Sequence, residues 1–177
     1  RSLPVDRLIP TMKQRTPKRA PRRKQTPDFP IRVTKLSHEG RGLVRWGERM
    51  LFIDGALPDE LVSVRVTKKS SKTAEGVAKE ILVPSSARGQ PECPHAAVCG
   101  GCSLQHLPHQ SQINHKSNTL DELMTREGIA LDQVTRLPPL LGPTLGYRRR
   151  ARLGVRWVHA KGRVLVGFRE RGSNFIA

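Results

Sequence analysis

Between residues 31 and 86 the sequence contains five short runs in which apolar and polar residues alternate, separated by turn sequences such as HEGRG and WGE. The runs read IRVTKL, GLVRW, RMLFIDG, ELVSVRVTKK and EGVAKEILVP. In the fourth run, Val62, Val64 and Val66 alternate with polar residues, which is the period of a strand with one buried face. Five strands at this spacing are typical of a small barrel. The sequence therefore predicts a five-stranded barrel over residues 31–86.

The first thirty residues differ from the barrel in composition. Residues 1–30 contain six prolines and nine lysines or arginines, with almost no apolar periodicity, and we interpret them as a disordered basic arm. The whole chain carries 32 Lys and Arg against 15 Asp and Glu, a net charge of +17. Such a charge repels itself unless a partner of opposite sign is near, which favours nucleic acid.

The apolar content of the chain argues against a membrane protein. No apolar run approaches the roughly 18 residues that a spanning helix needs, so we expect no membrane partner. The N-terminus also lacks the apolar segment of a secretory signal. We therefore expect a cytoplasmic protein, in a reducing compartment where disulfides are disfavoured.

Two further elements are predicted within residues 87–177. Apolar residues at helical spacing predict a helix over residues 108–127. Pro108 is suited to its first turn, and Gly128 is suited to terminate it. The apolar face consists of Ile113, the stem of Lys116, Leu120, Leu123 and Met124. Around the turn AKG, the runs YRRRARLGVRWVH and RVLVGFRER predict a β-hairpin over residues 147–170.

Two basic surfaces stand out beside the arm. On the first strand of the predicted hairpin, alternation places four arginines on one face, which we call the arginine ladder: Arg148, Arg150, Arg152 and Arg156. Like charges on one strand face lower stability unless groups of opposite charge neutralise them. We therefore interpret the ladder as an RNA-phosphate contact rather than a solvated face. The loop KKSSKTAEG offers a second candidate RNA contact, the loop lysines Lys68, Lys69 and Lys72.

All three cysteines lie within ten positions, in CPHAAVCGGCSLQHL at residues 93–107. The ligand spacing is Cys93-x5-Cys99-x2-Cys102. Three soft thiolates suit zinc or an iron–sulfur cluster, and both need a fourth ligand. For zinc the candidates are His106, His95 and His109, whereas a 4Fe–4S cluster expects a fourth cysteine that this chain does not contain. The two glycines of CGGC let the backbone curl so that N–H groups face the metal centre.

Three segments together resemble one enzyme family. The cysteine segment followed by a helix resembles the iron–sulfur motif of the bacterial RNA uracil-C5 methyltransferases. The block SHEGRGLVRWGERMLFIDGALPDELVSVRV is similar to a TRAM domain, an OB-like RNA-binding barrel that precedes the cluster in the branch acting on 23S ribosomal RNA. YRRRARLGV and VGFRERGSNFI are similar to central-domain strands of that branch. One departure is Asp59, where the family often has glycine.

The resemblance implies a mainly β chain with some helix: an OB-like TRAM barrel at residues 31–86, then the start of an α+β iron–sulfur central domain at residues 87–177. It implies the N-terminal part of an S-adenosylmethionine-dependent methyltransferase whose Rossmann-like catalytic domain is not in this chain. It further implies a 4Fe–4S cluster whose fourth cysteine lies beyond residue 177, with 23S ribosomal RNA as the partner of a monomer. No catalytic residue is predicted here, because no glycine-rich loop follows a strand and the cysteines serve as ligands.

Two alternatives stay open at this point. The first is a stand-alone RNA-binding module that is stabilised by zinc and has no catalytic activity. The second is a TRAM-bearing radical enzyme, in which the cysteines normally have a Cys-x3-Cys-x2-Cys spacing and precede the barrel. Both the spacing and the order of segments disfavour this second alternative.

Overall fold

The computed structural model describes residues 27–177. Residues 1–26 of the predicted arm therefore lie outside the described residues, while its last four positions are described and the last two, Phe29 and Pro30, belong to the first strand. Eight strands and one α-helix follow in chain order: β1 Phe29–Arg32, β2 Lys35–Leu36, β3 Gly42–Trp46, β4 Arg49–Asp54, β5 Leu61–Lys69, β6 Thr73–Val83, α1 His109–Arg126, β7 Gly154–Val158 and β8 Arg163–Gly167.

The first six strands form one sheet in the order β1-β5-β6-β4-β3-β2, antiparallel except for the parallel pair β4 and β6. Its two edge strands are separated by only two residues of chain, and hydrogen bonds at these residues close the sheet. The Val33 N–H donates to the Glu60 carbonyl at 2.9 Å, while the Thr34 N–H donates to the Leu43 carbonyl at 3.1 Å. Thus β1 and β2 are two halves of one bent strand, and the predicted five-stranded barrel is confirmed.

The barrel encloses the hydrophobic core of the described chain. Alternate residues of β5 point inward, since Val62 and Val64 are both fully buried. The other buried core residues come from neighbouring strands and turns: Val33, Val44, Leu51, Ile53, Ala56 and Ala74. Gly76 permits close packing here, because a Cβ at this position would lie 2.9 Å from Val64 Cγ2. Burial of these side chains is the main force that holds the barrel together.

Helix α1 lies outside this core. It ends at Arg126 and is capped by Glu127, which is followed by Gly128 with a φ of 80°. None of its residues is fully buried, and Leu120 of the predicted apolar face is 50% exposed. Within residues 27–177, no helix is long and apolar enough to span a membrane.

Strands β7 and β8 form a separate antiparallel hairpin that is shorter than predicted. The pairing runs from Gly154 opposite Gly167 to Val158 opposite Arg163. Residues 147–153 are not in a strand, because β8 ends opposite Gly154 and leaves them no pairing partner among the described residues. Of the arginine ladder, only Arg156 therefore lies on a strand; Arg148, Arg150 and Arg152 precede it.

Candidate functional site

The cysteine loop, residues 93–107, is folded by short-range backbone hydrogen bonds. The Ala96 N–H donates to the Cys93 carbonyl at 3.1 Å, and the Cys99 N–H donates to the His95 carbonyl at 2.8 Å. The loop is also closed from one end to the other, because the Cys93 N–H donates to Gln105 Oε1 at 3.2 Å. The three cysteines are therefore carried on one compact, hydrogen-bonded turn structure.

The thiols are accessible, and both glycines between Cys99 and Cys102 lie in close contacts. Cys93 and Cys99 are half-buried and Cys102 is exposed, all as free thiols. The Gly101 N–H donates to Cys99 Sγ at 3.3 Å, a contact of the kind that surrounds cluster-bound sulfurs. A Cβ on Gly100 would lie 3.0 Å from the Arg169 carbonyl oxygen. The CGGC sequence thus brings the loop backbone close both to sulfur and to the segment after β8.

The thiols of the cysteine loop are suitable ligands for a soft metal, but they are not arranged around a common point in this structure. Over residues 27–177, no three Cys, His, Asp or Glu side chains converge on a point that would hold a metal ion. Three thiols on one loop are nevertheless the ligand type that zinc and iron–sulfur clusters prefer. The three cysteines can supply three ligands of a tetrahedral centre, which then needs a fourth ligand.

His106 is the histidine best placed to influence this loop. Its side chain is buried, Nε2 has no hydrogen-bond partner in the described chain, and its carbonyl accepts the Gly89 N–H at 2.9 Å. Burial, followed by the nearby cations Arg88 and Arg171, lowers the pKa of His106 to about 4. The imidazole is therefore neutral, which is the form that ligates metals. His95 and His109 are exposed.

A buried ion pair anchors the linker between the barrel and the cysteine loop. Glu60, which is fully buried, accepts hydrogen bonds from Arg88 Nε at 2.5 Å and Nη2 at 2.8 Å. The backbone N–H groups of Leu57 and Ser85 donate to the same carboxylate at 2.8 and 3.2 Å. Burial alone would raise the pKa of Glu60, but the bonds from Arg88, Leu57 and Ser85 outweigh it and hold the pKa below its ordinary value.

The segment after β8 binds the other side of the cysteine loop. The Gly100 N–H donates to the Arg169 carbonyl at 2.8 Å, and the Arg171 N–H donates to the Val98 carbonyl at 3.1 Å. The Arg171 guanidinium donates to three loop carbonyls, those of Ala96, Cys99 and Cys102. Arg171 was not singled out in the sequence analysis. Apart from its place in the segment FRERGSNF, nothing in the sequence distinguishes it from the other arginines.

The loop lysines lie at the far end of the β5–β6 hairpin and differ in their contacts. Lys68 Nζ pairs with Glu75 Oε1 at 3.3 Å. Lys69 Nζ lies 4.4 Å from the centre of the Trp46 ring, which stacks on Phe29. Lys72 is exposed and has no side-chain partner among residues 27–177. Lys72 is therefore the loop lysine most available to an external phosphate.

The members of the arginine ladder also differ in their contacts within the chain. Arg156 donates to the Asn174 carbonyl at 3.1 Å and lies 5.5 Å from the centre of the Phe175 ring. The guanidinium of Arg148 lies 5.9 Å from the centre of the neighbouring Tyr147 ring. Arg150 and Arg152 are exposed, with no side-chain partner in the described part of the chain. The structure therefore does not bring the four arginines together on one strand face.

Comparison with known proteins adds two findings. Residues 26–79 match the TRAM domain family, which confirms that part of the sequence interpretation. The chain is 46% identical over 160 residues, 89% of its length, to the 23S rRNA (uracil(1939)-C(5))-methyltransferase RlmD of Alcanivorax borkumensis. Identities to the proteins of the same name from Alkalilimnicola ehrlichii and Nitrosococcus oceani are 46% and 44%, over 88% and 89% of the chain. The chain spans only 36%, 35% and 36% of the lengths of these three relatives.

Proposed function

Because the chain belongs to the bacterial 23S rRNA (uracil-C5)-methyltransferases that carry a TRAM domain, we propose that it is the RNA-recognition and metal-binding part of such an enzyme. The observation that carries the proposal is the 46% identity over 160 residues, which covers 89% of the chain. A match of that length includes both the barrel and the cysteine loop. The remaining length of the relatives, about two thirds, is where we assign the catalytic domain.

The proposed reaction of the whole protein is methylation of uracil at C5, at the position equivalent to uracil 1939 in the relatives' names. A nucleophile adds to C6 and makes C5 reactive, S-adenosylmethionine donates the methyl group to C5, and a base removes the C5 proton so that the nucleophile leaves. We assign none of these roles to residues 1–177. The part played by this chain is to bind 23S rRNA, as a cytoplasmic monomer, and to present a flipped-out uracil.

The proposed RNA contacts are the loop lysines and the arginine ladder. Support is strongest for Lys72, Arg150 and Arg152, which are exposed and have no internal partner among the described residues. Lys68 and Lys69 already contact Glu75 and Trp46, and Arg156 contacts Asn174. The TRAM barrel carries the lysines and the hairpin region carries the arginines. RNA would therefore contact both parts of the described chain.

The proposed metal centre is a 4Fe–4S cluster held by Cys93, Cys99 and Cys102, with a fourth cysteine from beyond residue 177. The free thiols on one loop and the N–H group of Gly101 that faces Cys99 Sγ support this proposal. When bound, the cluster would act structurally, by joining the loop to its surroundings. Uracil methylation consumes no electrons, so a redox role is not needed.

One observation favours zinc as the second candidate. The neutral, buried imidazole of His106 has a ring nitrogen without a hydrogen-bond partner in the described chain, and it lies four residues after Cys102. A Cys3His zinc site would result if the loop rearranged to bring this nitrogen to the thiolates. This candidate corresponds to the stand-alone RNA-binding module.

Metal analysis of the full-length protein separates the two candidates. Purified without oxygen, the protein should contain about four irons per chain and absorb broadly in the visible, and Cys99→Ser should lose both. His109→Gln, at an exposed histidine, serves as the control and should keep its iron. Colourless protein with about one zinc per chain, lost in His106→Gln, would instead support the zinc module.

The enzymatic proposal is tested by methyl transfer. Full-length protein should transfer label from S-adenosylmethionine to a 23S rRNA fragment, and mass spectrometry should locate the methyl group on the uracil equivalent to position 1939. A fragment in which that uracil is replaced by cytosine serves as the control and should stay unlabelled. Equal labelling of both fragments would contradict the proposed site, and labelling of neither would contradict the activity.

A further inference from the structure

The Arg171 side chain makes an unusual set of contacts with the cysteine loop. Its Nη2 donates to the carbonyls of Ala96 at 3.2 Å and Cys102 at 2.5 Å, and its Nε donates to the Cys99 carbonyl at 3.3 Å. These carbonyls lie 69 to 75 residues away in the chain. One planar guanidinium therefore fixes the backbone at two of the three cysteines.

The backbone around Arg171 is held both by the cysteine loop and by the turn in its own segment. Its backbone N–H donates to the Val98 carbonyl at 3.1 Å, and Cys99 and Glu170 form an antiparallel bridge. The Glu170 N–H donates to the Phe175 carbonyl at 3.0 Å across a turn that contains Gly172 with a φ of 62°. The guanidinium thus reaches the loop from a hydrogen-bonded turn, which limits the positions it can occupy.

We propose that Arg171 is the positioning residue of the cysteine loop: it shapes the loop before metal binds, so that Cys99 and Cys102 present their sulfurs to one centre. The inference rests on the proposed metal-binding function. Carbonyls that point to the guanidinium leave the loop N–H groups free to face sulfur, as Gly101 does toward Cys99.

Lysine at this position separates geometry from charge. An ammonium group is a compact point charge on a flexible stem and lacks the rigid fork that lets a guanidinium bond several carbonyls in fixed directions. Arg171→Lys therefore keeps the charge but loses most of the loop contacts. Hydrogen bonds that orient metal ligands, made by residues that do not themselves bind the metal, typically contribute 10- to 100-fold to metal affinity. We expect a loss of this size in Arg171→Lys.

The experiment titrates full-length, metal-free protein with cobalt(II) and follows the thiolate-to-cobalt charge-transfer absorption. Arg171→Lys should bind cobalt about 10- to 100-fold more weakly, with a weaker absorption per bound ion. The control is Arg169→Lys, since Arg169 bonds Asn174 Oδ1 rather than a loop carbonyl, and it should titrate like the parent. Equal affinity and absorption for Arg171→Lys and the parent would overturn the proposal.

Hydrogen exchange keeps this test independent of the metal. In metal-free protein, amides in residues 96–102 should exchange at least tenfold faster in Arg171→Lys than in the parent, while β4 amides stay protected and show that the barrel is folded. Unchanged exchange in the loop would also overturn the role of Arg171. If the parent bound neither cobalt nor iron, the metal-binding function would fail, and the exchange result alone would decide whether Arg171 shapes the loop.

Discussion

Asp59 has the only positive φ, 67°, among the non-glycine residues at 27–177. Its N–H donates to the Val33 carbonyl at 3.0 Å and its carbonyl accepts Arg32 Nη1 at 2.8 Å, so barrel closure imposes the conformation. A glycine would adopt this conformation without strain. Asp59→Gly should raise the free energy of unfolding by about 0.5–1 kcal/mol in urea denaturation. Asp59→Ala keeps the strain and should not stabilise; a gain equal to that of glycine would contradict this explanation.

His106 gives the protein a specific acid sensitivity. Its pKa is about 4 when folded, lowered by burial and then by Arg88 and Arg171, and is about 6.5 when unfolded. Below pH 6.5 the unfolded chain binds a proton that the folded chain does not, so stability is full above pH 6.5 and is lost as the pH falls toward 4. We expect a loss of about 2 kcal/mol between pH 6.5 and 5, measured by urea denaturation of metal-free protein.

Two variants check that this loss belongs to His106. His106→Gln cannot take up the proton and should show a nearly flat stability over the same pH range. The matched control is His38→Gln, because the His38 side chain is 69% exposed, and it should keep the pH dependence of the parent. A parent whose stability is already flat between pH 6.5 and 5 would contradict the lowered pKa.

At the scale of elements, the Glu60–Arg88 pair joins the barrel to the linker that leads to the cysteine loop. Arg88→Met would leave Glu60 as a buried carboxylate without its cation, which typically costs about 3–5 kcal/mol. The matched control is Arg65→Met, which breaks a similar two-bond pair with Asp28 at the surface and should cost far less, because solvent screens an exposed pair. Equal losses in urea denaturation would mean that burial does not distinguish the two pairs.

The predicted and observed elements agree where the local pattern determines the structure. In β5, Val62 and Val64 alternate with half-buried positions, and both are fully buried in the barrel. Alternation was not sufficient in the arginine ladder, where Arg148, Arg150 and Arg152 have the period of a strand but lie outside β7. A strand also needs a partner of matching length, and alternation within one segment carries no information about where its partner ends.

At the scale of the whole molecule, the cysteine loop could be identified from the sequence, but the long-range contacts that fix it in place could not. The spacing of the three cysteines is a local pattern and was visible at once. The contacts of Arg171 with the Cys102 carbonyl and of Arg88 with Glu60 join residues 69 and 28 positions apart. Nothing in the local sequence marks either arginine among the 32 basic residues, so both emerge only from the folded chain.

The net charge of +17 makes the salt dependence of RNA binding the broadest test of the proposed interface. Each phosphate neutralised on single-stranded RNA contributes about 0.7 to the slope of log affinity against log salt. Replacing both Arg150 and Arg152 with Gln should therefore lower the slope by about 1.4 for a 23S rRNA fragment and the full-length protein. Lys68→Gln is the control, because Glu75 already pairs with this lysine, and it should change the slope less. An unchanged slope in the double variant would remove both arginines from the RNA-binding surface, because a side chain that releases no counterions contacts no phosphate.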